Sequence, residues 1–128
     1  FNKVMEAYGL SKDSDDQRAL RSIAIQQATK EAALVPLEVM KHVIDALALT
    51  KIVAGNGNQN SLSDAGVSAM MLYAASESAA LNVLINLKSI HDSEFVGWTT
   101  DEVGTLRRTS KTKFDETMAI VYKHIQPA

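Results

Sequence analysis

The sequence predicts an all-α fold, an up-and-down helical bundle with long helices, and three observations carry that expectation. Prolines stand only at 36 and 127, glycines number six, and strong helix formers fill the intervals between them. Apolar residues recur at three- and four-residue spacing, with no strand-like alternation and no internal repeat. Capping-box signatures, in which a hydroxyl is followed three residues on by an acid or amide, mark helix starts. At 128 residues the chain is read as one domain, 1–128.

Phe1, Val4, Met5 and Tyr8 lie at helical spacing and Gly9 supplies a stop, so the chain opens on what reads as the last turns of a helix. Ser14 with Gln17 opens a second helix, with Leu20, Ile23, Ala24, Gln27 and Leu34 on one face. Pro36 has no amide hydrogen and disfavours the helical conformation of Val35, so a kink or break is expected near Pro36 and a new helix from there. From Leu37 to Ala54 apolar residues occupy nearly every face, which predicts a central or interfacial helix. Gly55 to Ser61 reads as an ordered loop. Ser61 or Ser63 is expected to cap a long helix running to about His91, with Asp64 in its first turn. Thr99 and Glu102 are expected to introduce the last helix, with Val103, Leu106, Phe114, Met118, Val121 and Ile125 inward and Arg107, Lys111 and Lys123 in water.

Thirteen Lys and Arg against fifteen Asp and Glu give a net charge of −2, too little positive charge for a nucleic-acid surface. The absence of cysteine excludes a disulfide framework, a thiolate nucleophile and a cysteine-ligated metal, and fits a reducing cytoplasm. The opening residues lack a secretory signal, and the most apolar stretch, Ala65 to Leu87, is interrupted by Glu77, Asn82 and Asn86. It therefore reads as a buried helix of a soluble protein and not as a membrane span. No nucleophile elbow, phosphate loop or dinucleotide fingerprint occurs, and His42, His91 and His124 have no metal-ligand spacing. Met40, Met70, Met71 and Met118 read as core filler, and Tyr73, Phe95 and Trp98 as packing or interface residues.

The chemistry concentrates on the helix after the loop. Ser68, Met71, Ala75, Ser78, Asn82 and Asn86 share a polar, uncharged face. Its amides either bond neighbouring helices, the reading the residues alone favour, or line a ligand pocket. Asp64 is explained by spacing alone as a stabiliser of the helix N-terminus; its functional reading is a general acid or base beside the loop.

Arg21-Ser-Ile-Ala-Ile-Gln26, Val35-Pro36-Leu37, Gly55-Asn56, Ser63-Asp64 and Asn82-Val-Leu-Ile-Asn-Leu87, in that order and spacing, closely resemble the cyclodeaminase/cyclohydrolase family of folate enzymes. The resemblance implies an all-helical homodimer that closes 5-formiminotetrahydrofolate to 5,10-methenyltetrahydrofolate with release of ammonia, a step of histidine breakdown. Its alternatives are a methenyltetrahydrofolate cyclohydrolase and a non-catalytic folate-binding or helical interaction module. A tetrahydrofolate derivative is then the substrate, no metal or nicotinamide cofactor is expected, and a formiminotransferase domain or partner accompanies the activity in part of the family. Carried onto this chain, Asp64 shuttles the proton, Asn82 and Asn86 orient the pterin or one-carbon region, Asn56 and Ser63 complete the wall, and Arg21 meets a folate carboxylate. Members of the family normally open on a Pro-Gly-Gly-Gly-Ser type segment and a further helix or two, so the chain is expected to be the C-terminal two thirds or so of such a domain.

Overall fold

The computed structural model describes residues 1–127 and contains four α-helices and one 3-10 turn. α1 spans Asn2–Tyr8, α2 Asp15–Asn56, α3 Leu62–Leu87 and α4 Ser93–Ile125, with the 3-10 turn at Gln59–Ser61 between α2 and α3. α1 ends at Gly9, as expected. α2 opens on the expected capping box: Ser14 Oγ accepts from the Gln17 amide at 3.2 Å, and Gln17 Oε1 accepts from the Ser14 amide at 3.2 Å.

α2 runs unbroken through Pro36, so the new helix expected there does not exist. Proline removes one hydrogen bond, to the Ala32 carbonyl, but burial on either side of it offsets the loss. Ala33, Leu37 and Met40 are 0% exposed. The helix also extends through Gly55 and Asn56, shortening the expected loop to Gly57 and Asn58 before the 3-10 turn. Ser61 stands at the N-cap of α3, but neither it nor Ser63 supplies a side-chain capping bond; Asn58 instead accepts from the Asn60 amide.

α3 ends at Leu87 rather than near His91, where the Ser89 and Ile90 amides turn back onto Asn86 and Leu87 and Ile90 is buried. α4 starts six residues earlier than Thr99: Asp92 is its cap, accepting from the Phe95 amide at 3.0 Å. Thr99 lies inside α4, buried, and its hydroxyl donates to the Phe95 carbonyl at 2.7 Å.

Three buried clusters succeed one another along the bundle. Leu37 and Met40 meet Ala79, Ala80 and Val83; Val43 and Leu47 meet Ala69 and Met118; Ala54 meets Leu62, Ala65 and Val121. That order makes α2 and α3 antiparallel, and α4 closes the third side with Val103, Leu106, Met118 and Val121. The rest of the expected α4 stripe is less buried, with Phe114 partly covered and Ile125 exposed. Leu20 and Ile23 are likewise exposed, and Met70 and Met71 are not core filler.

α3 is buried on one side only. The stretch Gln59–Leu87 is long and apolar enough in composition to cross a membrane, yet Val67, Met70, Met71, Leu81 and Ile85 lie between 45% and 70% exposed. Ion pairs tie the helices to one another: Lys3 to Glu31, Lys30 to Asp92, Lys51 to Glu116, and Arg107 through two nitrogens to Glu77.

Two outcomes follow. Pro36→Ala restores one helical hydrogen bond and should raise unfolding stability by about 1 kcal/mol or more; a loss in a denaturant titration contradicts this account of α2. The Asp92 carboxyl is held below its ordinary range, first by the Lys30 ammonium and then by the Phe95 amide. A lowered folded value contributes stability that is fully present above the ordinary carboxylate range and disappears as pH falls through the folded value. Asp92→Asn keeps a capping oxygen without the charge, so the acid limb of its stability curve should be shallower than that of the parent; identical slopes contradict it.

Candidate functional site

The residues singled out by the sequence fall into two groups at opposite ends of α3. Asn56 is the last residue of α2, and Ser63 and Asp64 lie in the first turn of α3; all three are exposed. Asn82 and Asn86 lie toward the other end. Asp64 and Asn82 are on one face of the same helix, but eighteen residues separate them, about 27 Å along the axis. A single chain therefore does not bring the carboxylate and the amides to one reacting atom.

Asn82 and Asn86 line a hollow of about 460 Å³ with Phe1, Val4 of α1 and Ala32, Val35, Pro36 and Val39 of α2. Apolar walls with two amides at one side have the composition of a small-molecule site. The amides do not bond neighbouring helices, the reading the residues alone favoured. Asn82 Nδ2 donates to the Ser78 carbonyl at 3.2 Å and Asn86 Nδ2 to the Asn82 carbonyl at 2.8 Å, both within α3. Each Oδ1 is left as an acceptor without a partner among the described residues. The rest of the polar face, Ser68, Met71, Ala75 and Ser78, is exposed.

Arg21 lies elsewhere, in a second hollow of about 430 Å³ whose lining includes Tyr8, Lys12, Ile25, Gln26, Ser89 and His91. Its Nε and Nη2 donate to the Tyr8 carbonyl at 3.2 and 3.0 Å, and its guanidinium sits 5.4 Å from the centre of the Tyr8 ring. Gln26 holds the opposite wall. Its Nε2 donates to the Ser89 carbonyl and its Oε1 accepts from the His91 amide, both at 2.8 Å. Lys12, Gln26 and His91 were not distinguished as site residues by sequence reasoning, because contacts between residues 63 and 65 positions apart leave no local periodicity. Among the described residues no three His, Asp or Glu side chains converge as a metal-binding group.

Comparison with known proteins gives consistent matches. Residues 1–105 match the family model described as formiminotransferase-cyclodeaminase. The chain is 45% identical over 95 residues to the methenyltetrahydrofolate cyclohydrolase of Methylorubrum extorquens, covering 74% of this chain and 46% of that protein. It is 36% identical over 123 residues to the formimidoyltransferase-cyclodeaminase of Gallus gallus, covering 96% of this chain and 23% of that protein. A solved structure of formiminotetrahydrofolate cyclodeaminase from Thermotoga maritima superposes with a TM-score of 0.82 at 29% identity, over 98% of this chain and 59% of its own. The chain thus spans less than two thirds of each of these relatives.

Proposed function

The chain belongs to the formiminotransferase-cyclodeaminase family, and on that premise we propose that it forms part of a cytoplasmic formiminotetrahydrofolate cyclodeaminase. The reaction closes 5-formiminotetrahydrofolate to 5,10-methenyltetrahydrofolate with loss of ammonia. The observation that carries the reading is the apolar hollow edged by Asn82 and Asn86. Two amides beside apolar walls suit a reduced pterin, which presents N–H donors along one edge and a hydrophobic face.

The chemistry needs one group that takes and returns a proton. N10 attacks the protonated formimino carbon, forming the new C–N bond and a tetrahedral centre; the N10 proton is removed and delivered to the former imino nitrogen. Ammonia then leaves as the C–N π bond re-forms, so protons balance within the cycle. Asp64 is assigned the shuttle, Asn82 and Asn86 the orientation of the ring, and Asn56 and Ser63 the wall beside Asp64. Arg21, occupied with Tyr8, is assigned to shape the neighbouring hollow while its charge faces the folate carboxylates.

The 27 Å separation estimated from helix rise is resolved if the carboxylate comes from a second copy. Val67, Met70, Met71, Leu81 and Ile85 of α3, with Val35, Val39, Leu49 and Val53 of α2, leave large apolar side chains exposed, as a face awaiting a partner does. Two copies of α3 paired antiparallel about a two-fold axis at the level of Tyr73 bring Asp64 of one to the level of Asn82 of the other. The active unit in this reading is a homodimer with two composite sites. The second reading, methenyltetrahydrofolate hydrolysis by water, is favoured by the similarity to the Methylorubrum enzyme and uses the same residues. Supplying each folate to the intact protein separates the two reactions.

Asp64→Asn should retain fold and folate binding while turnover falls at least about a hundredfold. Mixing the inactive Asp64→Asn and Asn82→Ala proteins should restore about a quarter of the parental rate, because half the dimers are mixed and each holds one intact site. A mixture as inactive as its components contradicts the shared site, and an Asp64→Asn protein of unaltered rate removes Asp64 from the mechanism.

A further inference from the structure

Pro36 leaves α2 with an acceptor that the helix does not use. In an α-helix each carbonyl accepts from the amide four residues on, so the amide missing at Pro36 is the one that would bond Ala32. A proline ring also crowds the carbonyl of the residue four before it and turns that carbonyl away from the helix axis. Pro36 is the proline inside α2, so in the interior of this helix Ala32 alone has a carbonyl without its regular donor.

The setting of that carbonyl gives it a use. Ala32, Val35, Pro36 and Val39 recur at spacings of three and four, so they share one face of α2, and all four line the hollow of about 460 Å³. Asn82 and Asn86 complete it from α3. Ala33 and Leu37 belong to the same core cluster as Val83 and Leu87, which sets the two stretches of helix side by side at one level of the bundle. No charged side chain lines the hollow. Asn82 Nδ2 and Asn86 Nδ2 are each engaged with a carbonyl of α3, at 3.2 and 2.8 Å, and their oxygens are free to accept. With the Ala32 carbonyl, an uncharged and mainly apolar hollow is edged by three acceptors. Such a set selects a neutral ligand edge that brings N–H donors and works against an anion, whose oxygens would meet oxygens.

Resting on the folate reading above, we propose that the Ala32 carbonyl, freed by Pro36, is a specificity-determining acceptor that takes a hydrogen of the pterin 2-amino group. Pro36 acts through Ala32 and is a positioning residue. The hydrogen bond that α2 lacks internally is made to the ligand instead, so a residue that destabilises the helix contributes to recognition.

Calorimetric titration of the intact protein with 5-formyltetrahydrofolate, and with its 2-desamino-2-methyl analogue, tests this on the parent and on two variants at residue 36. Pro36→Ala gives the Ala32 carbonyl its helical donor, and should weaken 5-formyltetrahydrofolate about threefold or more even as the urea midpoint rises. Replacing Pro36 by lactic acid, the α-hydroxy counterpart of alanine, puts an ester oxygen where that amide would stand. This variant lacks the ring but leaves the carbonyl free, and should bind within about twofold of the parent. The desamino analogue should bind the parent more weakly than the folate does and be indifferent to Pro36→Ala. Far-ultraviolet circular dichroism establishes that each variant is folded. Equal losses in the two variants assign the effect to the ring, and a folded Pro36→Ala protein within about twofold of the parent leaves the carbonyl without a role; either result overturns the proposal while the folate reading stands. A parent that binds neither ligand refutes both. Binding that depends on the free carbonyl without turnover supports the proposal and refutes the catalytic reading.

Discussion

Close approach of α2 and α3 is the constraint on which the other features rest, and small side chains make it. Along its buried side α3 offers Ala65, Gly66, Ala69, Ser76, Ala79 and Ala80, against which α2 seats Leu37, Met40, Val43 and Leu47. A β-carbon at Gly66 would stand 3.1 Å from Val121 Cγ1, so α4 also depends on that absence. Where α4 crosses α3 the two meet through Ser76 and Ser110, whose hydroxyls are 3.2 Å apart and fully buried. Beside α1, α2 walls two hollows, one completed by Asn82 and Asn86 of α3 and the other by Ser89 and His91 of the loop after α3.

The same helix explains why two functional groups lie so far apart. α3 is apolar on both sides, yet only one side is covered within the chain. Asp64 and Asn82 share the uncovered side. On the proposed pairing, the face that is apolar without a partner and the carboxylate that is remote from the amides are two aspects of one arrangement.

Much of the fold was legible because its signals are local. The Ser14–Gln17 box, the stop at Gly9 and the first-turn position of Asp64 each depend on a few neighbouring residues. The start of α4 shows where local signals mislead: Thr99 with Glu102 imitates a cap, while the working cap, Asp92, has Phe95 and not an acid or amide three residues on. The local cost of Pro36 points to a break, and tertiary burial of Ala33, Leu37 and Met40 outweighs it. Composition marked α3 as apolar but carries no record of which side is covered, hence the expectation of a buried helix. Of the site, the amides are visible as a helical face, whereas the hollow they line joins α1, α2 and α3, and the Gln26 clamp spans more than sixty residues.

The antiparallel pairing of α3 is tested most directly by a distance between copies. The chain has no cysteine, so Ala74→Cys introduces a single nitroxide site at the centre of the exposed face. With helix axes packed at 8–10 Å, electron spin resonance should return one short intermolecular distance, about 10–20 Å. No intermolecular coupling, or only a separation beyond about 40 Å where helices packed at 8–10 Å would bring the labels together, contradicts the account.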